Sequence, residues 1–311
     1  MNGRLKLGTR GSALALWQAN WTKSELEKRW PGLAVELVPI KTTGDKILDV
    51  PLAKLGGKGL FTKEIDEALL DGRIDLAVHS MKDVPFQLPD GIDFAAVPER
   101  EDPRDAFISN GPQLEELDKG ATIGTSSLRR QVQLRHGFPL LNLATLRGNV
   151  DTRLRKLAAG EFDGIILAVA GLKRLGHESR ITQILDDDIM VSAVGQGALG
   201  IVSRKGDDET RRLLEVLDHA PTHTAVTAER GLLRALGGSC QVPIAGRAKL
   251  VGDRLSIKGL IASLDGSRVI SQELTGSVDR AQELGLELGA KLLARGAGEI
   301  LAEIAQYGAD R

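Results

Sequence analysis

Nine basic side chains fall where the backbone is expected to turn: Arg10, Lys54, Lys58, Lys82, Arg129, Arg130, Arg147, Arg153 and Arg174. The formal net charge is −1, so these cations form a local concentration and not part of a global basic field. The densest stretch is G-T-S-S-L-R-R, Gly124 to Arg130. It follows the apolar run Ala121 to Ile123 and opens an apolar-periodic segment, so it reads as a strand-to-helix turn. Thr125, Ser126 and Ser127 can cap the new helix by accepting from its free N–H groups. Arg129 and Arg130 then meet the positive end of the helix dipole, a mismatch of ~0.3–1 kcal/mol per charge. Hydroxyls, open N–H groups and two guanidinium groups describe an anion site. The competing reading is a capped helix with two solvated arginines.

Asp83 follows Lys82 at the C-terminal end of a buried-type strand. A carboxylate there can hold a proton donor or stabilise a cation formed during reaction; the alternative is a turn Asp before Pro85. Asp45, in T-T-G-D-K, reads as a turn residue, and His79 as a satisfied core histidine. Cys240, in G-G-S-C-Q, is the only thiol. It is either structural or, near positive charge that favours thiolate, a nucleophile or covalent anchor. A single cysteine excludes an internal disulfide and disfavours zinc, so no metal is expected.

Neither a P-loop nor a dinucleotide fingerprint is present. Nucleic-acid binding would call for aromatics among the cations, but aromatics are 3% of residues. Trp17, Trp21 and Trp30 share one expected helix, where packing is their role. A small polycarboxylate is the better ligand, and no nucleic-acid partner is expected. The longest apolar stretch, Gly164 to Leu172, is too short to span a bilayer. The start carries no apolar signal core, so a cytoplasmic protein with no membrane partner is expected.

The elements around these residues alternate. Leu5 and Leu7 mark a strand, Ala13 to Trp30 a helix, Val35 to Ile40 a strand, and Lys41 to Lys58 a loop rich in Gly and Lys. Leu60 to Leu70 is helical, and Ile74 to His79 and Ile92 to Val97 are strands. After the proline-bounded crossing Pro98 to Pro103 the pattern restarts, with strands at Ala106 to Ser109, Leu140 to Ala144 and Ile165 to Val169. L-G-T-R-G-S-A-L at Leu7 resembles I-G-T-S-S-L-R-R at Ile123, and G-R-I-D-L-A-V at Gly72 resembles G-E-F-D-G-I-I at Gly160, as in an internal repeat. The expected fold class is α/β: two similar halves with mainly parallel sheets, whose helix N-termini point at a shared crevice. V-S-A-V-G-Q-G-A-L-G-I-V, Val191 to Val202, enters a strand and carries the chain back to the first half. A smaller α+β domain follows, with a helix at Thr222 to Leu236, three strand-like runs from Ala245 to Leu274, and helices at Val278 to Ala294 and Ala297 to Gln306.

Nine collinear segments resemble the porphobilinogen deaminase family. They are T-R-G-S-A-L-A-L-W-Q-A, P-L-A-K-L-G-G-K-G-L-F-T-K-E, D-L-A-V-H-S-M-K-D-V-P, E-R-E-D-P-R-D-A-F, G-T-S-S-L-R-R-Q, L-R-G-N-V-D-T-R-L, I-L-A-V-A-G-L-K-R-L-G, A-V-G-Q-G-A-L-G and C-Q-V-P. The set is very specific, although no single piece is; the last seventy or so residues match only in pattern.

The resemblance implies two domains like periplasmic anion-binding proteins, 1–98 plus 198–217 and 104–192, and a third at 220–311. It implies a dipyrromethane cofactor joined to Cys240 by a thioether, built from the enzyme's own substrate and kept as a primer. The family joins four porphobilinogen molecules head to tail, releases ammonia at each step and hydrolyses the chain to hydroxymethylbilane. By the same resemblance Asp83 stabilises the cationic azafulvene formed as ammonia leaves. Lys82, Asp83, Ser127, Arg129, Arg130, Arg153, Ser12 and Arg147 hold the cofactor. Arg10, Ser12, Arg147, Arg153 and Arg174 bind substrate carboxylates, with Phe61 near the incoming ring and Gln196 at the hinge. Lys54 and Lys58 belong to a loop over the cleft, and a monomer is expected. Ser239, before the cysteine, departs from the Gly that many members carry; Thr43 and Asp151 are positions where members vary.

Overall fold

The computed structural model describes residues 3–46, 59–238 and 242–309. β1 (Gly3–Thr9) buries Leu5 and Leu7 and exposes Arg4 and Lys6. α1 (Ala13–Arg29) starts at Ser12, whose hydroxyl accepts from the Ala15 N–H, and stops at Trp30 ahead of Pro31. β2 (Leu33–Pro39), the single turn α2 (Thr43–Lys46), α3 (Lys63–Leu70) and β3 (Leu76–Ser80) follow, then a 3-10 turn, Met81–Asp83, and β4 (Ile92–Ala96). After an irregular crossing come β5 (Asp105–Ser109), β6 (Thr122–Gly124), α4 (Leu128–Gly137), β7 (Asn142–Ala144), α5 (Val150–Ala158), β8 (Gly164–Ala168), α6 (Val169–Arg174) and β9 (Gln183–Leu185). β10 (Leu199–Arg204), α7 (Asp208–Leu214) and α8 (Ala220–Ala235) lead into β11 (Ile244–Val251), β12 (Arg254–Ala262), β13 (Val269–Ser277), α9 (Ala281–Leu292) and α10 (Gly298–Ala309).

Two compact units result. The first comprises residues 3–46, 59–101 and 198–224, and the second the remaining described residues. The first unit holds a five-stranded sheet of order β2-β1-β3-β10-β4. The second holds a five-stranded sheet of order β7-β6-β8-β5-β9 and a three-stranded sheet, β11-β12-β13. The five-stranded sheets have one plan. β1 and β6 each pair in parallel with the strand that follows them and with the third parallel strand, and the fourth position is an antiparallel strand, β10 or β5. The expected repeat is therefore present in topology. Each sheet is mainly parallel, as expected, with four strands running one way and a single strand, β10 or β5, running against them. β10 returns the glycine-rich stretch to the first sheet, as the sequence predicts.

The first unit's core joins Leu5, Leu7, Val35, Leu76 and Val78 of the sheet to Ala19 and Leu26 of α1. Trp21 and Trp30 pack against it, and the Trp30 ring N–H donates to Leu213 O at 3.1 Å; Trp17 stays partly exposed. The other face of the sheet packs Ala77 and Val202 against Ile65, Ala68 and Leu69 of α3. In the second unit Ile165 and Leu167 pack on Leu154 and Leu157 of α5, and the small sheet packs on α8 and α9. Val132, Val191, Ala245, Leu260 and Ala262 form a further core between the two sheets of this unit. β9 and α7 have no counterpart in the expected elements: a three-residue strand and a seven-residue charged helix are too short to show periodicity.

Candidate functional site

In the first unit β1 and β3 are adjacent and parallel, so their carboxyl ends lie side by side at the point where the strand order reverses. Arg10, Gly11 and Ser12 follow β1, and the turn Met81–Asp83 follows β3. Met81 is buried and anchors that turn, while Lys82 is half-buried and Asp83 exposed. The Arg10 guanidinium carbon lies 4.3 Å from the centre of the Phe61 ring, a cation–π contact that helps to fix the arginine.

His79 faces away from α1. Its neighbour Ser80 accepts from the Gln18 amide at 2.8 Å on the α1 side, so the strand's alternation sends His79 to the α3 side. It is 7% exposed, and among the described residues its Nε2 has no hydrogen-bond partner. The expected core placement holds, but the histidine is not satisfied at Nε2 among the described residues. Burial, reinforced by the Arg10 charge, pushes its pKa down to about 4, so the ring is neutral.

In the second unit Thr125, Ser126 and Ser127 follow β6 and precede α4. Ser127 is the N-cap by position, but its hydroxyl makes no capping bond; instead its N–H donates to the Thr125 hydroxyl at 3.3 Å. Arg129 and Arg130 are neither solvated nor placed in a turn. They lie in the first turn of α4, each 5% exposed, and both bind Asp105 at the start of β5. Arg129 donates to Asp105 from Nη1 at 2.7 Å and Nη2 at 3.2 Å. Arg130 donates to it from Nε at 3.0 Å and Nη2 at 2.7 Å. The helix-dipole mismatch is thus met by a buried carboxylate. Burial alone would raise the Asp105 carboxyl, but the two guanidinium groups hold it well below the usual carboxylate range.

Arg147 lies in the turn after β7, and Arg153 on α5 donates from Nε to Gly148 O at 2.8 Å. Gly148 has φ 110°, and a β-carbon there would meet the Thr152 side chain at 2.7 Å, so only glycine serves this turn. Burial, together with the charges of Arg130 and Arg147, pushes the Arg153 pKa down to about 10. Two further guanidinium charges, those of Arg130 and Arg147, therefore act on Arg153. Arg174 ends α6 and donates to Gly197 O at 2.7 Å. Gln196 is 1% exposed and donates to Pro103 O at 2.7 Å and Asp105 Oδ1 at 3.0 Å.

The predicted residues thus divide. Arg10, Ser12, Phe61, Lys82 and Asp83 gather in the first unit; Ser127, Arg129, Arg130, Arg147, Arg153, Arg174 and Gln196 gather in the second. Lys54, Lys58 and Cys240 lie outside the described residues. The basic residues are not confined to turns, since Arg129, Arg130, Arg153 and Arg174 belong to helices. Sequence reading missed Asp105; the available signal was an acidic residue leading an otherwise apolar strand just after a proline-bounded crossing. Among the described residues no group of three or more His, Cys, Asp or Glu could hold a metal ion, and no helix is long and apolar enough to cross a membrane.

Two five-stranded sheets of one plan and a smaller three-stranded sheet, each packed with helices, define a modular α/β protein. The family model described as porphobilinogen deaminase, dipyromethane cofactor binding domain, matches residues 5–212, and that described as porphobilinogen deaminase, C-terminal domain, matches residues 223–294. The chain is 56% identical over 303 residues to the porphobilinogen deaminase of Geobacter sulfurreducens, covering 97% of this chain and 95% of that one. It is 55% identical over 303 residues to that of Trichlorobacter lovleyi, covering 97% of each. Among solved structures, the methionine binding protein MetQ is 17% identical with a TM-score of 0.43, over 69% of this chain and 89% of that one. The chain belongs to the porphobilinogen deaminase family.

Proposed function

We propose that Asp83 is the catalytic carboxylate of this chain and that the two groups of cations hold the carboxylates of cofactor and substrate. The chain is a transferase of tetrapyrrole biosynthesis, a hydroxymethylbilane synthase: it condenses four porphobilinogen molecules onto a dipyrromethane primer with release of ammonia and then hydrolyses the product. The observation that supports the site assignment is half-buried Arg153, on which the charges of Arg130 and Arg147 both act, a concentration of guanidinium groups that suits a group bearing several carboxylates. When bound, the dipyrromethane supplies the nucleophilic pyrrole carbon.

The chain's own residues do the rest. Asp83, exposed at the end of its turn, accepts from the substrate pyrrole N–H and stabilises the positive charge that develops as ammonia departs. Lys82, Arg10 and Ser12 hold substrate carboxylates beside it, with Phe61 backing Arg10. Ser127, Arg129, Arg130, Arg147, Arg153 and Arg174 hold the primer and the lengthening product, which adds carboxylates with each unit. Gln196 braces the return crossing, Lys54 and Lys58 cover the site, and Cys240 is the thioether anchor. The working division is 1–98 with 198–217, 104–192 and 220–311, in a cytoplasmic monomer with no nucleic-acid or membrane partner.

Intact mass tests the reading. Protein made with substrate available is expected to exceed its sequence mass by two pyrrole units, and Cys240→Ser to lose that excess. Asp83→Ala is expected to keep a bound adduct while kcat falls by about 100-fold or more. Normal turnover of Asp83→Ala removes Asp83 from the mechanism.

A further inference from the structure

Asp105 is 0% exposed and joins three groups remote from it in sequence: Arg129, Arg130 and Gln196. Its Oδ1 accepts from both arginines and from the Gln196 amide, and its Oδ2 from Arg129. Each guanidinium has a second fixed partner, a backbone carbonyl: Val191 O for Arg129 at 2.7 Å and Ile166 O for Arg130 at 2.8 Å. Both planes are therefore held from two directions. Among the described residues two guanidinium groups face one carboxylate, a net single positive charge in a buried setting, and Arg130 also acts on Arg153. Removing the carboxylate would double that charge and free both planes on one side. An Arg pair so released would turn toward other acceptors or take up water.

We infer that Asp105 is a positioning residue: it holds Arg129 and Arg130 in the posture that receives the primer's carboxylates and limits the pair to a single net charge. The inference rests on the proposed assignment of these arginines. Asp105 touches neither primer nor substrate; it acts through the arginines. Its place at the start of β5, with Gln196 also bound to Pro103 O, ties the same carboxylate to both the outgoing and the returning crossing.

The test uses the full chain made in a host that supplies no porphobilinogen. Porphobilinogen is then added, and primer attachment is followed by intact mass over time, with thermal melts in parallel. Asp105→Asn, which preserves shape and removes charge, is expected to load about tenfold or more slowly per folded chain. Asp105→Glu, which preserves charge and shifts it by one methylene, is expected to recover part of the rate. Arg130→Gln combined with Asp105→Asn is expected to load no more slowly than Asp105→Asn alone, because the two act as one unit. A purely structural Asp105 would lower the melting temperature but leave loading of the folded fraction at the wild-type rate, and that result overturns the inference. If the Asn variant does not fold, the Glu variant decides: slowed loading supports the role and wild-type loading overturns it. A wild-type chain that gains no mass at all would refute the proposed function and not this inference alone.

Discussion

His79 and Asp66 are buried on the same side of one sheet and titrate in opposite senses. Asp66, on α3, is pushed up to about 6, chiefly by burial with Glu67 adding to it, whereas His79 is pushed down to about 4. Between about pH 4 and 6.5 the unfolded chain binds more protons at position 79 than the folded one, so this histidine makes stability rise with pH. Between about pH 4 and 6 the folded chain binds more protons at position 66, so the aspartate makes stability fall with pH. Each effect is on the order of 2–3 kcal/mol at full extent, and in the native protein they oppose. Denaturant unfolding of His79→Phe from pH 4 to 7 is expected to show stability falling as pH rises, once the histidine's contribution is gone. Asp66→Asn is expected to show the reverse slope and to be more stable than wild type at pH 7. Identical slopes in all three proteins would refute both assignments.

The crossing of α8 and α9 shows how small residues set an element's position. A β-carbon on Gly285 would meet Ala228 O at 2.0 Å, one on Gly231 would meet Gln282 O at 2.6 Å, and one on Gly289 would meet the Ala235 β-carbon at 2.3 Å. Backbone cannot yield as a side chain does, so the helices must separate and loosen the core of Leu232, Leu284, Leu288 and Leu292. Gly285→Ala is expected to lose about 1–3 kcal/mol, against a helix-propensity gain of up to ~1 kcal/mol. Gly137→Ala, at the end of α4 with nothing within 4 Å of the added carbon, is the control and is expected to be neutral or stabilising. Equal melting temperatures for the two variants would show that the crossing tolerates the carbon. Much of this scale was legible in sequence: α1 and its stop at Trp30, β3, β4 and the three strands of the small sheet follow from apolar spacing and flanking Gly or Pro. The close approach of α8 to α9 was not, because a glycine inside an apolar helix reads the same whether it faces a neighbour or solvent.

At the scale of the whole molecule, the small sheet and the second five-stranded sheet form one compact unit. Val132 and Val191 share a core with Ala245, Leu260 and Ala262, the Gly246 N–H donates to Ser192 O at 3.0 Å, and Arg247 pairs with Asp187 at 2.7 Å. Glu229, fully buried on α8, accepts from the N–H groups of Gly195 at 2.6 Å and Ala248 at 2.8 Å, fastening the return crossing to β11. A chain truncated after residue 219 is therefore expected to bind an apolar dye strongly and to lose near-ultraviolet circular dichroism. A truncated protein that melts cooperatively at the wild-type temperature would contradict this.

The sequence by itself determined the repeat and the alternation of strands and helices. These follow from local periodicity and from turn chemistry that acts over a few residues. Only the tertiary structure decided that Arg129 and Arg130 meet a buried carboxylate, that Nε2 of His79 lacks a partner among the described residues, and that the fourth strand of each sheet runs antiparallel. Each of these depends on which distant segments pack together. Asp105 is 24 residues from Arg129 and 91 from Gln196, separations over which no pattern in a single chain specifies contact.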